Sequence, residues 1–305
     1  MTDWNTEELI AADKQFVWHP FTNMPEWCAP EHEPIVIVEG DGALLRDSRG
    51  REYIDGNSSI WTNIHGHNHP RINRAIREQL ERIAHSSFLG TTNPVAIELA
   101  REIVELFPPN TLSRVFYSDD GSTGIEAALR IAAQFFQMRG EKRNLFVAFR
   151  SGYHGDTAGA AALGAAKMFS VDHEGWRFPV RRVGSIEELE KLSGAQGVGI
   201  AAVVVEPIIQ GAAGMRIWPH GTSAAVRDWC NQNGALMIAD SARAPVKCTT
   251  VGVPKALSAP TCDRRARYPV SLSRSGPAVP VLTVTKLTWL AVGSTSCEPS
   301  SDTLE

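Results

Sequence analysis

A glycine-rich hexapeptide combines two hydroxyl groups with the start of a predicted helix. It reads Asp119-Asp-Gly-Ser-Thr-Gly124 and lies between an apolar run and an amphipathic segment. Glycine lets a ligand approach the backbone closely, and the N–H groups of a helix start attract anions. Together with the hydroxyls of Ser122 and Thr123, these groups suit a phosphate. Serine and threonine are also ordinary helix caps, so a capping role alone stays open.

A second polar loop, Ser151-Gly-Tyr-His-Gly-Asp-Thr157, follows the next apolar run. It places an aromatic ring (Tyr153), an imidazole (His154) and a carboxylate (Asp156) on a segment with two glycines. Such a set favours ligand binding, and a simple polar turn is the alternative.

Two carboxylates stand at the ends of later apolar runs. Glu206 follows Ile200-Ala-Ala-Val-Val-Val205, and Asp240 follows Ala235-Leu-Met-Ile-Ala239. A carboxylate at such a place is costly to bury without a cationic or hydrogen-bonding partner. Asp240 is well placed to hold a protonated ring nitrogen, although it could instead cap whatever follows.

The elements that carry these loops alternate between strands and helices. We expect strands over residues 114–118, 145–149, 200–205 and 235–239, and helices over 71–85, 95–106, 123–138, 185–192 and 223–231. A small hairpin is expected around Gly40-Asp-Gly42. Continuous apolar strands separated by helices predict an α/β fold with a mostly parallel sheet covered on both faces. Ligands of such sheets bind beyond the carboxyl ends of the strands, where all four polar segments lie.

Composition narrows the class further. The 305 residues carry a formal net charge of −4, which gives no reason to expect a nucleic acid or a membrane surface as partner. The five cysteines form no CxxC pair, which indicates free thiols and a cytoplasmic protein. The triad His65-Gly-His67-Asn-His69 lacks the spacing of a helical or finger-type metal site, so we expect no metal.

The amino-acid composition and the net charge of the chain change after Asp240. Residues 241–305 hold eight Lys and Arg against four Asp and Glu, and seven of the 18 prolines. Recurrent prolines leave little room for an uninterrupted helix. We therefore interpret residues 241–305 as a divergent, poorly ordered tail.

Taken together, the motifs resemble the class III pyridoxal-phosphate-dependent aminotransferases, in the right order over about residues 10–240. The segments that carry the resemblance are Trp18-His-Pro-Phe-Thr22, Asp55-Gly-Asn-Ser-Ser-Ile-Trp61, His65-Gly-His-Asn-His-Pro70, Asp120-Gly-Ser122, Gly152-Tyr-His-Gly-Asp156, Glu206-Pro-Ile-Ile-Gln-Gly211 and Leu236-Met-Ile-Ala-Asp240. The resemblance implies the large domain of fold-type I, incomplete at its C-terminus. It also implies pyridoxal 5′-phosphate as cofactor, a small-molecule amino donor and keto acceptor, and a homodimer.

The resemblance also implies roles for single residues. Gly121 and Ser122 would bind the cofactor phosphate, and Asp240 would pair with the pyridine nitrogen and keep it protonated. Tyr153, His154 and Glu206 complete the implied cofactor site. Phe21, Ile60, Trp61 and, again, Tyr153 match substrate-recognition positions. Residues 1–70 would contribute to the small domain and the substrate site, and residues 71–240 would form a partial cofactor-binding domain.

Within the class, the pattern is most similar to members that act in biotin biosynthesis. That similarity implies S-adenosylmethionine as amino donor and 8-amino-7-oxononanoate as acceptor. Some of these members have Tyr at the position of Phe21 and a Trp pair where this chain has Ile60-Trp61. An omega-type aminotransferase with other substrates therefore stays open.

The lysine that holds the cofactor as an imine is missing from its expected place. The position about thirty residues beyond Asp240 is Val270, and the Gly-Phe-Gly-Arg-Thr-Gly-like stretch that normally follows the aspartate is absent. Lys286, 46 residues beyond Asp240, is the candidate that remains. One hypothesis is an interrupted or frame-shifted coding sequence after Asp240, and a non-catalytic relic is the alternative to a working enzyme.

Overall fold

The computed structural model describes residues 5–108, 112–164, 178–192, 199–241, 248–252 and 281–286. The described residues fall into two compact units, one that ends at Asn93 and one that begins at Pro94. Every described helix is too short or too polar to cross a membrane.

The first unit combines short helices with a three-stranded antiparallel sheet in the order β1-β2-β3. Its elements are α1 (Thr6–Phe16), α2 (Met24–Trp27), β1 (Ile37–Asp41), β2 (Leu44–Asp47), β3 (Glu52–Ile54), α3 (Ser58–Trp61) and α4 (Pro70–Leu80). The expected hairpin is confirmed, since β1 and β2 pair around Gly42, whose φ of +54° suits glycine.

The second unit is built on a seven-stranded sheet. Its elements are α5 (Pro94–Glu105), β4 (Arg114–Ser118), α6 (Gly121–Met138), β5 (Leu145–Phe149), α7 (Ala158–Leu163), β6 (Val180–Val183), α8 (Ile186–Glu190), β7 (Ile200–Val205), β8 (Ile209–Gln210), β9 (Arg216–Ile217), α9 (Thr222–Asn233), β10 (Leu236–Ser241), β11 (Cys248–Gly252) and β12 (Val281–Lys286).

The strand order of this sheet is β4-β12-β11-β10-β7-β5-β6. All pairings among β10, β7, β5 and β6 are parallel, as is that of β12 with β4, whereas β11 runs antiparallel to both of its neighbours. The expected mostly parallel sheet is therefore confirmed. Strands β11 and β12, both from the divergent tail, lie between β10 and β4; the rest of the tail, including Val270, lies outside the described residues.

Alternate residues of the central strands pack on opposite faces. Ala202 and Val204 of β7 join a core with α6 and α7, while Val203 and Val205 join a second core with α8 and α9. All six residues of β7 are buried. Helices thus cover both faces of the sheet, which leaves the carboxyl ends of the strands as the exposed place for polar groups.

The bounds of the five expected helices are within two residues of those predicted, except at the end of α4, which comes five residues early. The helix predicted over 71–85 ends at Leu80, and just beyond this end the Gln79 side chain donates to the carbonyl of Ile83 (2.8 Å). Ile83 is half exposed and offers no packing that would favour continuation. Helix α6 begins earlier than predicted, at Gly121, because Asp120 caps it.

Candidate active site

At the start of α6 one backbone N–H group is capped by a side chain, whereas the two N–H groups before it are available to a ligand. The carboxylate of Asp120 accepts from the backbone N–H of Thr123 (2.8 Å), and the Thr123 hydroxyl accepts from the N–H of Asp120 (3.0 Å). This reciprocal capping box explains Thr123 as a structural residue. Among the described residues, the amides of Gly121 and Ser122 have no protein acceptor, so they can receive an anion.

The loop that follows β5 packs directly against the start of α6. The N–H of Asp156 donates to the Ser122 hydroxyl (3.2 Å), which keeps its own O–H to donate to a ligand. Gly155 has a φ of +120°, and a Cβ atom there would lie 2.1 Å from Ser122 Oγ. Only glycine fits this position without moving the serine. The two polar loops, each predicted at the end of a strand, therefore contact each other.

The Tyr153 ring lies on the same loop and stays a phenol. Its hydroxyl donates to Asp156 Oδ2 (2.6 Å). Burial raises the pKa of Tyr153 well above its ordinary value, and the hydrogen bond to Asp156 and the charges of Asp156 and Asp240 raise it further. Tyr153 therefore contributes an uncharged aromatic ring and a hydrogen-bonding hydroxyl to this loop.

Asp240 meets His154 across 86 residues of sequence. His154 Nδ1 lies 2.8 Å from Asp240 Oδ2, and the His154 side chain is only 1% exposed. An ionised carboxylate can only accept, so the imidazole proton lies on Nδ1. The histidine turns one carboxylate oxygen toward itself, and the Asp240 side chain is still 19% exposed. Asp240 can therefore bind a protonated ring nitrogen with its other oxygen.

Glu206 links the loop that follows β5 to the segment that follows β7 through two hydrogen bonds. It is 6% exposed; Oε1 accepts from the N–H of Gly211 (3.0 Å) and Oε2 from the N–H of Tyr153 (3.3 Å). Burial raises the pKa of Glu206, while the nearby His154 and the two amides oppose the rise. Its carbonyl accepts from the Trp218 indole (3.0 Å). Glu206 thus acts on the site by holding the Tyr153 backbone.

The three substrate positions expected on residues 1–70 lie in the first unit. Phe21, Ile60 and Trp61 share an unusual feature, a positive φ of 51°, 58° and 65° respectively. Phe21 and Ile60 are each about two-thirds exposed.

Ile60 and Trp61 belong to a left-handed turn that the sequence did not predict. Four consecutive residues, 58–61, have φ between 49° and 65°, so α3 is one left-handed turn and not a right-handed helix. Each such residue costs about 1–2 kcal/mol. Asp55 holds the turn through the Ser59 backbone and hydroxyl, and His67 in turn contacts Asp55.

The backbone of Lys286 lies at the same edge of the large sheet as the loops of the second unit. It is the last residue of β12 and pairs in parallel register with Ser118, the last residue of β4. Ser118 is two residues from the Asp120 cap. This placement is compatible with Lys286 as the candidate amine.

The histidine triad gives no metal site within the described residues. The rings of His65 and His69 meet edge to face with centroids 6.1 Å apart, and His67 contacts Asp55. No group of three or more His, Cys, Asp or Glu side chains that could hold a metal occurs in the described part of the chain.

The fold and the polar groups at the edge of the large sheet point to one protein family. The family model "Aminotransferase class-III" matches residues 27–249. The chain belongs to this family, whose members depend on pyridoxal phosphate. The groups fit that cofactor: the amides and hydroxyl at the start of α6 suit its phosphate, and Asp240 suits its ring nitrogen.

The two curated relatives described next share the same name. The chain is 39% identical over 261 residues to adenosylmethionine-8-amino-7-oxononanoate aminotransferase of Geobacter sulfurreducens, covering 79% of this chain and 57% of the relative. It is 42% identical over 257 residues to the protein of that name from Nitratidesulfovibrio vulgaris, covering 77% and 47%. The chain thus spans about half the length of the curated relatives it matches.

Solved structures agree on the fold. The crystal structure of adenosylmethionine-8-amino-7-oxononanoate aminotransferase from Methanocaldococcus jannaschii is similar with a TM-score of 0.74 and 33% identity, over 77% of this chain and 55% of that one. An (S)-enantioselective omega-transaminase from Thermomicrobium roseum is similar with a TM-score of 0.68 and 28% identity, over 77% and 56%. The predicted fold class is confirmed.

Proposed function

We propose that this chain binds pyridoxal phosphate and transfers an amino group from S-adenosylmethionine to 8-amino-7-oxononanoate, giving 7,8-diaminononanoate in biotin biosynthesis. The observation that carries the proposal is the Asp240 carboxylate held by buried His154, on the same sheet edge as the anion-binding start of α6. The shared name of the relatives supports the substrate pair. An omega-type aminotransferase with other substrates is the second candidate, favoured by the similarity to omega-transaminases.

Each residue of the site has a task in this function. Ser122 and the first amides of α6 hold the phosphate, and Asp240 keeps the pyridine nitrogen protonated. Bound pyridoxal phosphate supplies an electron sink that makes the substrate Cα proton easier to remove. His154 fixes the Asp240 carboxylate, and Glu206 fixes the loop that carries Tyr153.

The reaction also needs an amine that moves the Cα proton. We assign this task to Lys286, supported by its backbone position at the carboxyl end of β12. Phe21, Ile60, Trp61 and Tyr153 recognise the substrates. Residues 1–70 serve the substrate site and residues 71–240 the cofactor, while most of 241–305 diverges from the family.

The proposed enzyme is a cytoplasmic homodimer that binds neither nucleic acid nor membranes. Exposed apolar side chains on the second unit support self-association, since Val95, Ile97 and Phe116 are 40%, 55% and 44% exposed. Sedimentation of the purified chain distinguishes dimer from monomer.

Borohydride trapping tests the function and its alternative. The chain, dialysed free of cofactor, is incubated with pyridoxal phosphate, reduced and mapped by peptide mass. The proposal predicts a pyridoxyl group on Lys286 that is absent in Lys286→Ala and retained in the control Lys255→Ala. Amino transfer from S-adenosylmethionine should follow the same pattern. Cofactor that binds without being fixed indicates the non-catalytic relic, and a chain that binds none contradicts the proposal.

A further inference from the structure

We propose that Asp55 is a positioning residue for substrate specificity, which clamps the left-handed turn so that Ile60 and Trp61 keep one orientation. His67 anchors this clamp to the hairpin of the first unit. The inference rests on the proposed function only in assigning contact with the amino donor to Ile60 and Trp61.

The Asp55 carboxylate makes three short contacts. Oδ1 accepts from the backbone N–H of Ser59 (2.9 Å), and Oδ2 accepts from the Ser59 hydroxyl (2.8 Å) and from His67 Nε2 (2.8 Å). The Asp55 side chain is 5% exposed. The Ser59 amide, followed by His67 and the Ser59 hydroxyl, lowers the pKa of Asp55. The carboxylate is thus charged and fully engaged by the turn and its anchor.

His67 gives the clamp a rigid base. Its backbone exchanges two hydrogen bonds with Gly42, of 2.7 and 3.1 Å. A Cβ atom on Gly40 would lie 2.8 Å from the Cβ of His67, so the histidine packs flush against β1. The contacts therefore run without a gap from the hairpin through His67 and Asp55 to Ser59.

Burial does not account for the strained turn. Ile60 is 66% exposed and Trp61 37% exposed, so neither side chain gains a full core environment by leaving the ordinary backbone regions. Strained backbone persists only where surrounding contacts over-determine it, and such places concentrate at ligand sites. The clamp fixes the orientation of the two large apolar side chains, Ile60 and Trp61. A site that selects substrates needs side chains with a fixed orientation.

Fluorine NMR of the free protein tests the clamp without any reaction. The chain is labelled with 5-fluorotryptophan, and the Trp61 signal is assigned by its loss in Trp61→Phe. We expect Asp55→Asn to shift or broaden this signal, whereas the control Asp41→Asn, at an exposed aspartate of β1, leaves it in place. Adding Ser59→Gly to Asp55→Asn should restore the signal, because glycine adopts positive φ without a clamp. A Trp61 signal that Asp55→Asn does not change overturns the proposal.

Steady-state kinetics with S-adenosylmethionine tests the consequence for specificity. We expect Asp55→Asn to raise KM for the donor about tenfold while kcat changes less than about twofold, because ground-state donor binding is weakened. A variant with lower kcat and unchanged KM overturns the specificity role. If the wild type transfers no amino group, the proposed function fails, yet the fluorine signals still decide whether the clamp exists.

Discussion

The two regions to which we assign the proposed function are held in opposite ways. At the edge of the large sheet, His154 and Glu206 are buried and each holds a neighbouring loop or carboxylate. In the first unit, Ile60 and Trp61 stand exposed on a left-handed turn held through Asp55. In the proposed function, buried hydrogen bonds fix the groups that would bind a constant cofactor, whereas a strained and exposed turn presents the side chains that would contact a variable substrate.

The largest effect is expected where the cofactor loop touches the helix start. Gly155→Ala should weaken binding of pyridoxamine 5′-phosphate by about a hundredfold or more, because the new Cβ would displace Ser122. Calorimetric titration measures this. Gly214→Ala is the matched control, with a φ of +76° and open space around its Cβ, and should strain the backbone without changing affinity. Equal losses in both variants would contradict the close fit.

A smaller loss is expected from removing the partner of Asp240. His154→Ala leaves a carboxylate without its hydrogen-bond donor, which costs about 1–3 kcal/mol, or roughly 5- to 150-fold in cofactor affinity. The exposed His220 serves as control through His220→Ala. Unchanged affinity in His154→Ala would show that the contact does not orient Asp240.

The buried glutamate gives a pH-dependent effect. Because the folded-state pKa of Glu206 is raised above its ordinary 4.5, its contribution to stability is fully present below pH 4.5 and is lost as pH rises through the folded-state value. Glu206→Gln cannot ionise, so relative to wild type it should gain stability as pH rises above 4.5. Urea unfolding at several pH values measures this difference. A difference that does not change with pH would contradict the raised pKa.

The smallest effect concerns the strained turn and compares two substitutions at one site. Ser59→Ala and Ser59→Gly both lose the hydroxyl contact with Asp55, but only glycine relieves the positive φ of 49°. We expect Ser59→Gly to be more stable than Ser59→Ala by about 1 kcal/mol, the reverse of the usual order. Urea unfolding of both variants checks the sign, and a more stable alanine variant would refute the strain.

Local patterns predicted much of the fold but not the contacts between distant residues. Strands β4, β5 and β7 have the predicted bounds, because their apolar runs are bounded by polar or glycine residues. Strand β6 was missed because Val180-Arg-Arg-Val183 reads as polar, which an edge strand tolerates. The hydrophobic periodicity of the sequence does not indicate β6.

The candidate site shows the same limit. The loops were found from strand ends, but the contact of His154 with Asp240 joins residues 86 apart and could not be read from spacing. The left-handed turn lacks glycine, the residue that favours positive φ, and its contacts with the carboxylate of Asp55 and, through it, with His67 follow no sequence periodicity.

We propose that the sheet edge forms a cofactor site around Asp240, whatever amine completes it. Pyridoxamine 5′-phosphate tests this most directly, because it carries its own amine and binds without an imine to lysine. Calorimetric titration should show binding to the wild type and at least about tenfold weaker binding to Asp240→Asn, whose amide cannot keep the ring nitrogen protonated. Equal affinity in the two proteins, or no binding to the wild type, would contradict a cofactor site at Asp240.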